Sequence, residues 1–339
     1  MSLPQPVPGA TMPTSGPLVD RFGRAHTYVR VSVTDRCNYR CTYCMPAKGL
    51  DWMPRDHLLT YEETARVVGA MASMGVHRVR LTGGEPTIRA GIEELVAMLA
   101  AMPGIDDLAM TTNAHLLARK AEALARAGLR RLNVSLDAVE PALFRQITRG
   151  GDLARVLEGI DAALAAGLAP VKVNAVVVRG VNDHHVPDMV AHFAPYGEQV
   201  EVRFIEYMPF GGVGDERRHV PAAQMRALLP PMKPIPRDSG GPASRYRLAS
   251  GQVVGFISPI TEHFCDACNR LRLAADGHLR TCLSRDRTPS LRDLLREGAT
   301  DDDIEQSLRA MVWQKVAGHE AHKSEGFRAF EGVMTRVGG

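Results

Sequence analysis

Strand-like and helix-like segments alternate about six times along this 339-residue chain, and that rhythm leaves few folds open. Tyr28 to Val33 alternates and is rich in Val, as a strand should be. Further strands are predicted at Val76 to Leu81, Asp107 to Thr111, Arg131 to Ser135, Val171 to Val178 and Val200 to Ile205. Between them fall helical patterns. Thr60 and Glu63 form a capping box ahead of Val67, Val68, Met71 and Met74, which share one helical face and stop at Gly75. Helices are also predicted at Ile92 to Met102, Leu116 to Ala127, Leu153 to Ala166 and His184 to Ala194. Such alternation demands parallel pairing through right-handed crossovers, which an open sheet and a barrel both satisfy.

Polar residues gather where the strands end: Thr34 and Asp35, Gly83-Gly84-Glu85, Thr111-Thr112-Asn113, Ser135 and Asp137, and Glu206 with Met208. In a β/α barrel those ends build the active site, so the expected fold is a partial six-stranded (β/α) barrel of the TIM type. Six strands leave one side open, and something must cover the gap. Gly and Pro punctuate the chain after Met208, and the expected divisions are a disordered tail over 1–17, a barrel over 18–235 and a C-terminal domain over 236–339.

A net charge of +3 gives no reason to expect nucleic acid as a partner. Arg dominates the 41 basic residues, which suits bidentate recognition of phosphate. No run of about eighteen apolar residues is present, so no membrane span is expected. The first seventeen residues carry five prolines and no charge, unlike a secretory signal, so a cytoplasmic protein with reduced thiols is expected.

All six cysteines fall into two triads: Cys37, Cys41 and Cys44, and Cys265, Cys268 and Cys282. A closed metal site needs four ligands, so a 4Fe–4S cluster on three thiolates keeps one iron open to a small molecule. Structural zinc is the competing reading. His263 or His278 would complete the second triad, and His57 or His26 would have to fold back on the first.

The first triad, with C-x3-C-x2-C spacing behind the first strand, resembles the radical SAM superfamily, and Gly83-Gly84-Glu85-Pro86 resembles its glycine-rich cofactor motif. A longer resemblance, over roughly residues 20 to 339, is to the GTP 3′,8-cyclase family of molybdenum cofactor biosynthesis. It is carried by Asp20-x-Phe22-Gly23-Arg24, by Asn133 to Asp137, by Arg203 to Pro209, by Gly255 to Pro259, by Phe264 to Leu273 and by the closing Gly338-Gly339.

The resemblance implies two 4Fe–4S clusters and S-adenosylmethionine, whose 5′-deoxyadenosyl radical takes hydrogen from ribose C3′ of GTP before C3′ joins C8. It implies that Cys37, Cys41 and Cys44 hold the first cluster, and that Tyr43, Gly84, Ser135 and Met208 contact S-adenosylmethionine. Cys265, Cys268 and Cys282 would hold the second cluster, whose open iron meets the guanine, in a C-terminal iron–sulfur domain closing the open side of the barrel. Arg30, Arg80, Thr111, Lys172, Arg270 and Arg272 would hold the nucleotide, and Gly338 and Gly339 would enter the active site. Implied partners are GTP, a flavodoxin- or ferredoxin-like reductant, a second copy in a homodimer, and the next enzyme of the pathway, cyclic pyranopterin monophosphate synthase.

The residues support part of this independently. Arg270 and Arg272 are two apart in a strand-like segment and so share a face. Arg30 and Arg80 could face the barrel interior, where grouped cations without an anion would be costly. Ala114 replaces the family's usual Gly after Thr-Thr-Asn, and Arg149-Gly150 reverses a common Gly-Arg order, which puts local loop geometry in question. Two rival functions remain: a peptide-modifying radical enzyme, and an iron–sulfur or zinc module without catalysis.

Overall fold

All six predicted strands form, within a residue or two of their expected limits, in a computed structural model that describes residues 3–208, 215–236, 241–283 and 288–318. They are β1 (Tyr28–Ser32), β2 (Arg78–Thr82), β3 (Asp107–Thr112), β4 (Arg131–Ser135), β5 (Val171–Val177) and β6 (Val200–Glu206). The helices after them are α1 (Tyr61–Ser73), α2 (Ile92–Ala100), α3 (Ala121–Arg126), α4 (Pro141–Thr148), α5 (Leu153–Ala165) and α6 (Val186–Phe193). The capping box at Thr60 and Glu63 is present. Helix α4 was not expected. Glu140 starts it, its carboxylate accepting from the backbone N–H of Ala142 and Leu143 at 2.9 and 2.5 Å, with Pro141 at the first helical position.

The later elements are α7 (Ala222–Ala227), β7 (Met232–Ile235), β8 (Ser244–Leu248), β9 (Val253–Ile257), β10 (Arg270–Leu273), β11 (Leu279–Arg280), α8 (Leu291–Arg296) and α9 (Asp301–Trp313). A single sheet runs β11-β10-β1-β2-β3-β4-β5-β6-β9-β8-β7. Strands β1 to β6 pair in parallel and in sequence, as the alternation required. The C-terminal region adds β9 in parallel to β6 and β10 in parallel to β1. It therefore extends the barrel sheet at both edges and removes two open strand edges at once. Residues 3–17 form no helix or strand, but Val7 N–H donates to Arg21 O and Arg309 Nη2 to Gly16 O.

One face of the sheet is apolar. Val29, Val31, Val79, Leu81, Met110 and Val173 are all at most 1% exposed. Val67, Val68 and Met71 of α1 are equally buried, and α1 packs on α2 and α9. Burying each such side chain contributes about 1.5–3 kcal/mol. The opposite face carries the alternate residues, most of them polar.

Candidate active site

The first cysteine triad sits on the loop that leaves β1, with all three thiols half-buried. Helix α4 holds this loop from the side: Arg40 N–H donates to Thr148 O and Thr42 N–H to Ile147 O, at 3.0 and 2.9 Å. Cys44 and Met45 N–H both reach Cys41 O, giving a tight turn. Two donors face the Cys37 sulfur, the Tyr39 N–H at 3.4 Å and the Asn113 amide at 3.9 Å. Burial pushes the Cys37 thiol up to about 11 and Cys41 well above its ordinary value, so a bound metal would be what holds these thiols ionised at neutral pH.

The glycine pair serves the cysteine loop directly. Gly84 N–H donates to Thr34 O at 2.7 Å and Glu85 N–H to Arg36 O at 2.8 Å. A Cβ at Gly83 would lie 2.5 Å from Thr34 O, and one at Gly84 would lie 2.1 Å from Arg36 O. Glycine is required here because two backbones touch. The Glu85 carboxylate accepts from Thr87 N–H and Oγ1, Thr112 Oγ1 and Asn113 N–H at 2.6–3.0 Å, tying the ends of β2 and β3 together. Tyr43 donates its hydroxyl to Asp137 at 2.7 Å, and burial raises Asp137 to about 6. This bond joins the cysteine loop to the end of β4, beside Ser135. Met208 stands two residues beyond β6 at the same end of the sheet.

The second triad flanks β10 and β11: Cys265 and Cys268 precede β10, and Cys282 follows β11. Among the described residues no three His, Cys, Asp or Glu side chains converge as ligands of one ion. His278 engages a neighbouring carboxylate. Its Nδ1 lies 3.1 Å from Asp276, and it lines a cavity of about 290 Å³ with Asp51, Trp52, His57 and Arg292. Three thiols per group suit a cluster that keeps one iron open.

Between the triads lies the polar face of the sheet. In register, Arg272 pairs with Arg30, and Arg30 with Arg80. Arg270 pairs with Tyr28, and one step further Thr111, Asn133, Lys172 and Glu201 form a continuous row. All six residues expected to hold the nucleotide therefore share one face. Burial and mutual repulsion lower the pKa of three of these cations: Arg30 shifts downward, Arg80 falls to about 10, with Arg30, Arg203 and Arg131 pressing on it, and Arg272 to about 9 beside Arg30 and Arg270. The cations stay charged at neutral pH, and a polyanion would relieve the repulsion.

Sequence reasoning missed Asn133, Asn174, Tyr28 and Arg203 on this face. Their two-residue spacing from Ser135, Lys172, Arg30 and Glu201 was the available signal. Buried polar atoms of Arg80, Thr111, Asn133 and Asn174 have no protein partner, the pattern of a face shaped to receive a polar ligand. Gly338 and Gly339 lie outside the described residues.

Comparisons with known proteins agree with this geometry. Residues 31–193 match the Radical SAM superfamily and residues 200–321 match Molybdenum Cofactor Synthesis C. The chain is 46% identical over 329 residues to GTP 3′,8-cyclase of Pelotomaculum thermopropionicum, covering 94% of this chain and 99% of that protein. It is 44% identical over 313 residues to the mitochondrial GTP 3′,8-cyclase of Arabidopsis thaliana, covering 91% and 80%. Streptococcus suis SuiB bound to S-adenosylmethionine superposes with a TM-score of 0.60 at 14% identity, covering 91% of this chain and 76% of that one, a likeness of fold. On a partial barrel that carries two cysteine triads, this sequence identity places the chain in the GTP 3′,8-cyclase family of radical SAM enzymes.

Proposed function

We propose that this protein converts GTP to (8S)-3′,8-cyclo-7,8-dihydroguanosine 5′-triphosphate, the first step of molybdenum cofactor biosynthesis, with its polar sheet face as the GTP site. S-adenosylmethionine, bound with a 4Fe–4S cluster, would supply the one-electron chemistry for removing hydrogen from ribose C3′ so that C3′ can join C8. Cys37, Cys41 and Cys44 would hold that cluster, with Tyr43, Gly84, Ser135 and Met208 around the cofactor. Cys265, Cys268 and Cys282 would hold the second cluster, against which guanine is oriented.

Arg30, Arg80, Arg270 and Arg272 would bind the triphosphate, and Thr111 and Lys172 the remaining polar groups. The buried, mutually repelling arginines between the two triads carry this reading. The cations orient the nucleotide before chemistry begins. Residues 18–235 would form the barrel unit and 236–339 the unit that bears the second cluster, with Gly338-Gly339 reaching the site. A flavodoxin- or ferredoxin-like reductant, a homodimer, delivery to cyclic pyranopterin monophosphate synthase and a cytoplasmic setting complete the proposal. Among the described residues no helix is long and apolar enough to cross a membrane.

The test is anaerobic reconstitution followed by reaction with GTP, S-adenosylmethionine and a chemical reductant. About eight irons per chain and a mass-identified cyclised nucleotide are expected. Zinc alone, or inertness toward GTP, would end the proposal.

A further inference from the structure

The Asp20–Arg24 motif has no part in the reading above, yet it ends at the second triad. Asp20, 1% exposed, is the centre of a tight loop. Its Oδ1 accepts from the N–H of Phe22 and Arg24 at 2.9 and 3.1 Å, and its Oδ2 accepts from Arg24 Nε at 2.7 Å and faces His26 Nε2 at 3.0 Å. With Nε held, the rest of the guanidinium has one orientation available. Arg24 Nη1 donates to Cys265 O and Ala317 O, and Nη2 to Val316 O, each at 2.7 Å.

A second buried cation completes the arrangement. Lys315, 2% exposed, donates from Nζ to Arg270 O at 2.7 Å and also to Thr281 O, whose residue adjoins Cys282. At Gly318 a Cβ would stand 3.4 Å from Cys265 Sγ and 2.4 Å from Leu3 Cδ2. The four residues 315–318 thus touch the Cys265 loop, the β10 strand that carries Arg270, and the chain next to Cys282. Both Nη groups of Arg24 and the Nζ of Lys315 donate to main-chain carbonyls, which places backbone and leaves the side chains fixed.

We propose that Arg24 and Lys315 are positioning residues for the second cluster: they lock the Cys265 and Cys282 loops onto residues 315–318 and so set the spacing of those thiols. This inference rests on the two-cluster reading. The test uses the full chain, reconstituted anaerobically, with Arg24→Gln, Arg24→Lys and Lys315→Gln measured for iron content and for the electron paramagnetic resonance of each cluster with and without GTP. The expected result for both glutamine variants is loss of about half the iron, confined to the second cluster. S-adenosylmethionine cleavage should continue while cyclisation is lost, and Arg24→Lys should recover part of the second signal.

Full iron content with an unchanged second-cluster spectrum would overturn the proposal. Equal loss of both clusters would also overturn it, since that marks a general effect on folding. Should Arg24→Gln fail to fold, Lys315→Gln and Gly318→Ala decide by the same criteria. A wild-type chain that takes up only one cluster would instead sink the two-cluster reading itself.

Discussion

The two cysteine triads carry the same three ligands in opposite electrostatic surroundings. At the first, burial and the carboxylates of Asp137 and Glu85 push the thiols upward. At the second, burial raises Cys268, but Lys315, Arg270 and Arg24 together bring it below its ordinary value. An anionic pocket favours a cationic visitor such as a sulfonium, and a cationic pocket favours a polyphosphate. The contrast is the one the proposed division calls for, with S-adenosylmethionine at the first triad and GTP at the second.

The sharpest way to break this division is to remove one ligand from each side. Cys37→Ser should abolish S-adenosylmethionine cleavage and cyclisation together, whereas Cys265→Ser should abolish cyclisation and keep some uncoupled cleavage. Chromatographic detection of 5′-deoxyadenosine and of cyclised nucleotide reads both, and normal cyclisation in Cys265→Ser refutes the division.

The anchor of the second region has its own pH signature. Burial outweighs the pull of Asp20 and lowers His26 to about 4 from an ordinary 6.5. A depressed value means the folded state favours the neutral ring, so its stability is present above pH 6.5 and drains as pH falls from 6.5 toward 4. The loss should approach about 3 kcal/mol, and His26→Gln should flatten that limb in urea melts at several pH values. An acid limb of unchanged slope in the variant removes His26 as its source.

Arg270→Ala should weaken GTP binding by about 2 kcal/mol, roughly 30-fold, through loss of one charge-assisted contact. S-adenosylmethionine binding should not change, and calorimetry with each ligand separates the two. The smallest effect belongs to a loop beside the first triad. Ala114 adopts φ +60° although it is not glycine, a strain of about 1–2 kcal/mol. Ala114→Gly also forfeits one buried methyl, about 0.8 kcal/mol, so a net gain of about 0.5 kcal/mol is expected in a thermal melt. Marked destabilisation would show that the methyl matters more than the backbone.

Ala114 and Arg149, the two places where the sequence departs from the family pattern, are also the two non-glycine residues with positive φ among those described. Local strain was legible because only glycine is indifferent to that conformation. The arginine row was legible because strand periodicity fixes which side chains share a face. Helix α4 was missed because its apolar set, Phe144 and Ile147, is too short to stand out from the loop around it. The Arg24 contacts could not be read at all, since they span 241 to 293 positions of chain.

Periodicity and cysteine spacing are local properties, so the order of strands, the two triads and their chemistry follow from the chain as written. The placement of β9 and β10 on opposite edges of the sheet, and the closure of the 315–318 segment on the Cys265 loop, depend on partners far away in sequence. Only folding decides such contacts, because no short stretch of residues encodes which distant carbonyl a buried cation will find.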